Sequence, residues 1–292
     1  MSNPLLNERS LARAVERGAN DGAWAPPQGP PVADRNVGWN PTISLPRTDA
    51  PTAPVSDGPV TPWGTGGATM TVGGVASASL ILFALLMIAA AFGWVSVKTS
   101  NGEVYEFPML ATVGILAGFA AVIICAFKPA WAKVLAPVYA IGQGYAVGAI
   151  SKSFETYYDG IVVAAAGATV GVLLVMLVLY RTRIIKVTER FRRIVIAATL
   201  GVALLYLVAM VARLFGAEVS FLSSSSGLSI AFSFFVAGLA AFNLALDFDL
   251  IERGAREGYP KQMEWFAALG LLVTVVWLYL ELLRLLAKLR ER

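Results

Sequence analysis

Three carboxylates near the end of the chain are the residues best placed to do chemistry. They are Asp247 and Asp249 in LALDFDLIE, and Glu281 in WLYLELLRLL. All three lie at the edges of, or inside, the last two apolar runs. A carboxylate near hydrocarbon is expensive enough that its presence marks a functional site by default. The chain has no histidine, so proton sensing near neutral pH falls to carboxylates in unusual surroundings. Around a helix, Asp247 and Asp249 are about 200° apart and cannot both face one partner. Asn243, four residues before Asp247, shares its face and gives it a polar stripe directed into a bundle. Asp249 shares its face with Glu252 and Arg253, nearer the rim. Asp247 is therefore the expected inward acid, with Asp249 in reserve.

If Asp247 meets Glu281, two anions in a poorly solvated site share a proton and titrate as a pair. Protonated, the pair ties its two helices together by a hydrogen bond. Deprotonated, it repels, loosens the helices and exposes hard oxygen ligands suited to Ca²⁺. A purely structural role competes with this. Arg284, three residues after Glu281, would neutralise it as a local ion pair, and Asp247 would end its helix in interfacial water.

The elements that must position these residues follow from composition. Of 292 residues, 57% are hydrophobic and 14% charged, against about 25% charged in an ordinary soluble domain. With a mean hydropathy of +0.67, this is an integral membrane protein. Apolar runs fall at Val72–Val95, Met109–Phe127, Val134–Ile150, Gly160–Tyr180, Ile194–Ala212, Gly227–Leu246 and Phe266–Ala287. Each has about the 17–25 residues that a helix needs to cross hydrocarbon. The first six hold no internal charge, and the seventh contains Glu281 and Arg284. The reading is an all-α bundle of seven transmembrane helices over residues 71–292. Six helices plus a re-entrant last segment is the alternative. Residues 1–70 hold eleven of the 15 prolines and read as a disordered tail, with a short amphipathic helix expected at Leu5–Val15. No signal peptide is expected before the first span.

Basic residues in short loops set orientation. Arg181, Arg183, Lys186, Arg190, Arg192 and Arg193 follow the fourth run, Lys128 and Lys133 flank the loop after the second, and Arg253, Arg256 and Lys261 follow the sixth. The alternate loops are acidic, so the N-terminal tail is expected in the cytoplasm. A full seventh crossing puts Lys288, Arg290 and Arg292 outside, against the rule. The basic loop 181–193 reads mainly as a topology determinant, with anionic headgroups as a further partner. Gly144/Gly148 and Gly167/Gly171 have GxxxG spacing and read as tight packing within the bundle.

The stretch GQGYAVGAISKSFETYYDGIVVAAAGAT, the DFDLI after the sixth run and the LYLELLRLL of the last run resemble the Bax inhibitor-1 family. This family is also called the transmembrane Bax inhibitor motif or YccA-like family, and the likeness is to its bacterial, actinobacterial-type branch. The resemblance implies six helices around a central C-terminal seventh. It also implies a pH-sensitive calcium leak latched by an acidic pair between helices six and seven. By motif, Asp247 with Ile251 matches the sixth-helix pattern and Glu281 after Leu-Tyr-Leu the seventh, both as transient calcium ligands. Three departures stand out: Glu replaces Asp, the interval between the acids is long, and Asp249 competes. The implied location is the bacterial cell membrane.

Other functions are disfavoured. One cysteine, Cys125, precludes an intrachain disulfide or thiolate metal site and reads as a small buried hydrophobe. No resident cofactor, enzymatic chemistry or nucleic-acid partner is expected. A retinal protein needs a lysine within a span, whereas the lysines, Lys288 included, read as loop or terminal residues. The serine run Ser223–Ser226 reads as a flexible loop. The serious alternative is a non-transporting interaction protein. Members of the family it resembles restrain a membrane-anchored protease or influence stress and cell-death signalling.

Overall fold

The computed structural model describes residues 69–100, 103–215 and 226–291. The expected disordered tail and its Leu5–Val15 helix lie outside the described residues, apart from Thr69 and Met70. Seven helices cross: α1 (Val72–Ser96), α2 (Met109–Phe127), α3 (Ala132–Tyr157), α4 (Ile161–Arg181), α5 (Glu189–Leu214), α6 (Gly227–Arg256) and α7 (Met263–Arg290). All seven are long and apolar enough to span a membrane. Between α1 and α2 a short antiparallel hairpin pairs β1 (Lys98–Ser100) with β2 (Glu103–Glu106). Its sequence signal is the Asn101-Gly102 dipeptide, a strong turn former between strands.

The C-terminal helix is central. α7 touches α1, α3, α4 and α6, and its apolar window is 56% buried against 11% for α5. Leu80, Met87, Phe92, Phe119, Val163 and Phe234 instead face outward. Outside contact with lipid, such a surface would be a large aggregation-prone patch.

Of the two GxxxG spacings, the first marks close helix approach. At Gly144 and Gly148 a Cβ would collide with the α1 backbone at Leu86 and Ala90, so these glycines seat α3 against α1. Gly167 and Gly171 have no heavy atom near their absent Cβ positions. The second GxxxG spacing therefore packs nothing inside the bundle.

The start of α1 is fastened to the α6–α7 connection. Met70 N donates to Tyr259 O at 2.7 Å. The Glu264 carboxylate accepts from Thr71 N at 3.0 Å and Thr71 Oγ1 at 3.1 Å. A side chain at Gly74 would displace the Glu264 carboxylate from this position. Two amide groups of the first helical turn are thus satisfied, by Glu264 and by the Thr71 cap on Gly74 N.

Candidate functional site

α6 continues to Arg256, ten residues beyond the apolar run that ends at Leu246. Asp247 and Asp249 are therefore inside a helix rather than at its frayed end. Ser226 caps this helix at its start, accepting from Ser229 N.

Asp247 faces α7. Its Oδ1 lies 3.5 Å from where a Cβ on Gly270 would stand, and Thr274, one turn further along α7, interacts with its carboxyl. Thr274 Oγ1 itself donates to Gly270 O at 3.1 Å. The residue is half-buried, yet its Oδ2 is enclosed and has no hydrogen-bond partner. Such an orphan is rare in a native structure and needs a reason. Among the described residues the other enclosed, unpartnered side-chain polar atom is Ser79 Oγ. α1 and α7 cross in the same direction, with Gly74 against Glu264.

Glu281 lies elsewhere. It is 2% exposed and held on three sides. Arg284 Nη1 donates to both carboxylate oxygens, at 3.0 and 3.2 Å. Tyr206 Oη from α5 donates to Oε1 at 3.0 Å, and Trp277 Nε1 donates at 3.3 Å. Arg284 also donates to Tyr206 Oη at 2.9 Å and lies over that ring, 5.3 Å from its centroid.

The structure thus does not bring Asp247 and Glu281 together, and hairpin register is the reason. Asp247 faces Gly270 and Ser229 meets Lys288, which fixes one antiparallel pairing of α6 with α7. In that register Glu281 falls near Val236. Eleven residues separate Gly270 from Glu281, roughly 16 Å along the helix. The long interval between the two acids in sequence is this displacement.

The remaining predicted residues also have definite places. Asn243 points away from α7: its Nδ2 donates to Thr199 Oγ1 on α5 at 2.8 Å and to Leu239 O at 2.9 Å. Asp249 accepts from Arg192 at 2.7 Å and from Arg253, so it is an ion-paired rim residue and does not face α7's acid. Arg284 is the local partner of Glu281. Cys125 is a buried free thiol.

Lys288 differs from its sequence reading as a tail residue. It is 5% exposed within α7 and donates to Ser229 Oγ at 2.7 Å and Ser233 Oγ at 2.9 Å on α6. With Tyr206 and Glu264 it is among the residues that sequence reasoning missed. Ser229, Ser233 and Lys288 share one signal: polar residues at i, i+4 spacing on facing helices. Tyr206 carried none.

Seven apolar helices, with α7 central and ionisable side chains turned inward, make this a multi-pass membrane protein. The chain belongs to the Bax inhibitor 1 like family, whose model matches residues 3–291. Comparison with curated proteins and with solved structures returned no match.

Proposed function

We propose that this protein is a pH-sensitive leak for calcium and similar hard cations in a bacterial cell membrane, with its N-terminal tail in the cytoplasm. Asp247 is its sensing carboxylate. The observation that carries this reading is the enclosed, unpartnered Asp247 Oδ2 at the α6–α7 contact. Protonated, that oxygen becomes a donor, with the lone pairs of Thr274 Oγ1 as its acceptor and α6 tied to α7. Ionised, it is an anion with no hydrogen-bonded cation, in a site where charge is tolerated only when paired or solvated. Relief comes from separation of α6 and α7, which admits water or a hard cation to carboxylate and hydroxyl oxygens. Thr274 supplies a hydroxyl at that level. Glu281 does not share the proton in this scheme, because Arg284 and Tyr206 already neutralise and hold it. No resident cofactor and no enzymatic turnover are involved; calcium is the cargo.

A second reading, a non-transporting protein that regulates a membrane-anchored protease or a stress response, gains support from one feature. Further along the α6–α7 seam, Arg284 and the buried Lys288 outnumber the buried Glu281, with Glu291 exposed at the helix end. Such a net positive cluster opposes a cation passing that level. Purified full-length protein in liposomes separates the two. Calcium entry into vesicles without any added partner, above that of empty vesicles, supports the leak. Vesicles as tight as protein-free ones favour the interaction protein.

A further inference from the structure

Outside the bundle interior, one cavity stands out at the end where α4 and α6 finish. It measures about 480 Å³ and is lined by Tyr180, Arg181, Arg183, Lys186, Asp249 and Arg256, together with Glu252, Arg253, Ile185 and Val187. Five basic side chains face two acidic ones there, a net charge of +3.

The acids are already engaged. Asp249 is taken by Arg192 and Arg253, and Glu252 accepts from Tyr180 Oη at 2.7 Å. The side chains of Arg181, Arg183, Lys186 and Arg256 make no hydrogen bond or ion pair with another described residue, and Arg256 acts on Asp249 only through its charge at longer range. Two helix C-termini also converge on the cavity, each contributing about half a negative charge. The excess left over is about two positive charges.

The loop that supplies these cations is anchored rather than merely solvated. Ile185 and Val187 pack against the core beside α6 and α7. Thr182 N donates to Val178 O at 2.8 Å and Arg183 N to Tyr180 O at 3.0 Å. Arg183 adopts a left-handed backbone with φ 59°, the one non-glycine among the described residues to do so. That conformation is disfavoured for a residue with a Cβ, and here it turns the chain back over the cavity. Apolar anchors alternating with basic residues hold the cations around one concave site.

The geometry points to a binding site for a phosphate-bearing anion in this cavity, with Arg183, Lys186, Arg181 and Arg256 as its cationic wall. Guanidinium groups suit phosphate oxygens because they donate in a fixed fork. The cavity lies where the spans leave the hydrocarbon, so the phosphate of an anionic lipid headgroup is the form that reaches it at highest local concentration. A soluble phosphate ester shares the same chemistry.

The test uses full-length protein and native mass spectrometry from neutral detergent. Phosphatidylglycerol and phosphatidylcholine are offered together, and glycerol phosphate is offered in a separate arm. Wild type is expected to retain phosphatidylglycerol well above phosphatidylcholine. Arg183→Gln combined with Lys186→Gln should cut that preference about 30-fold, since one basic residue near an anionic surface is worth about fivefold. Arg190→Gln, in the same loop but outside the cavity, should leave it unchanged. Binding of glycerol phosphate that is lost in the same double variant supports the site in its soluble-ligand form. Equal losses in Arg190→Gln would show diffuse surface charge and overturn the proposal. So would an undiminished preference in a monodisperse double variant, or no retention of either phosphate compound by wild type.

Discussion

Replacing Arg284 with Met removes the one cation that is hydrogen-bonded to Glu281 among the described residues. The carboxylate is 2% exposed and would keep only the neutral donors Tyr206 and Trp277. Breaking a fully buried ion pair from one side costs about 3–5 kcal/mol. The Arg284 side chain is 41% exposed, so its partner is partly screened and we expect about 2 kcal/mol. For a chain of this size that is roughly 4–8 °C in Tm. Glu281→Gln alone keeps a side-chain oxygen for Tyr206 and Trp277 and should cost less. The combination of Arg284→Met with Glu281→Gln leaves no unpaired charge and should recover most of the loss. Tryptophan-detected thermal unfolding of the detergent-solubilised protein measures all four members of this double-mutant cycle. A melt unchanged in Arg284→Met, or a double variant no more stable than Arg284→Met, would refute the assignment of Glu281 as a structural anion.

Other consequences are simpler to state. Gly148→Ala forces a methyl into the α1 backbone at Ala90 and should cost about 1–3 kcal/mol as overpacking, whereas Gly167→Ala should be neutral or slightly stabilising; paired thermal melts check both. Glu264→Ala removes the acceptor for Thr71 N and Oγ1 and should cost about 1–3 kcal/mol. Its signature is faster amide exchange in the first turn of α1. Tyr158 lies outside the spans, and its hydrogen bond to Glu291, with smaller contributions from burial and that residue's charge, raises its phenol to about 12. A raised folded value means that this stabilisation is present below about pH 10 and is lost as pH rises through the folded value. Absorbance titration of phenolate should show one late-titrating tyrosine disappear in Tyr158→Phe.

The spans were legible because hydrocarbon demands unbroken apolar runs, and α2 (Met109–Phe127) coincides with its run. Polar ends were less so. α6 and α3 continue as helices past the last apolar residue because their backbone bonds persist into the interface, and this carries Asp247 and Asp249 into regular structure. Which acids meet depends on how the α6–α7 hairpin closes over residues 257–262. Helical spacing within one segment says nothing about that register. Asp247 could be singled out from its neighbours by facing, but its opposite number, Gly270 with Thr274, has no charge to reveal it. Glu281 attracted attention as an acid, and its neutralisation by Arg284 was readable from i, i+3 spacing. The contribution of Tyr206 from α5 was not, because it depends on tertiary packing alone. Lys288 was misread because proximity to a chain end resembles exposure, while its i, i+4 serine partners lie nearly sixty residues upstream.

The most direct measurement is calcium flux into liposomes holding purified wild type, Asp247→Asn or Glu281→Gln, across a range of pH. The account predicts that wild-type flux rises with pH as Asp247 ionises, that Asp247→Asn gives a flat profile, and that Glu281→Gln retains the wild-type response. An Asp247→Asn protein whose flux still follows pH as the wild type does would contradict it.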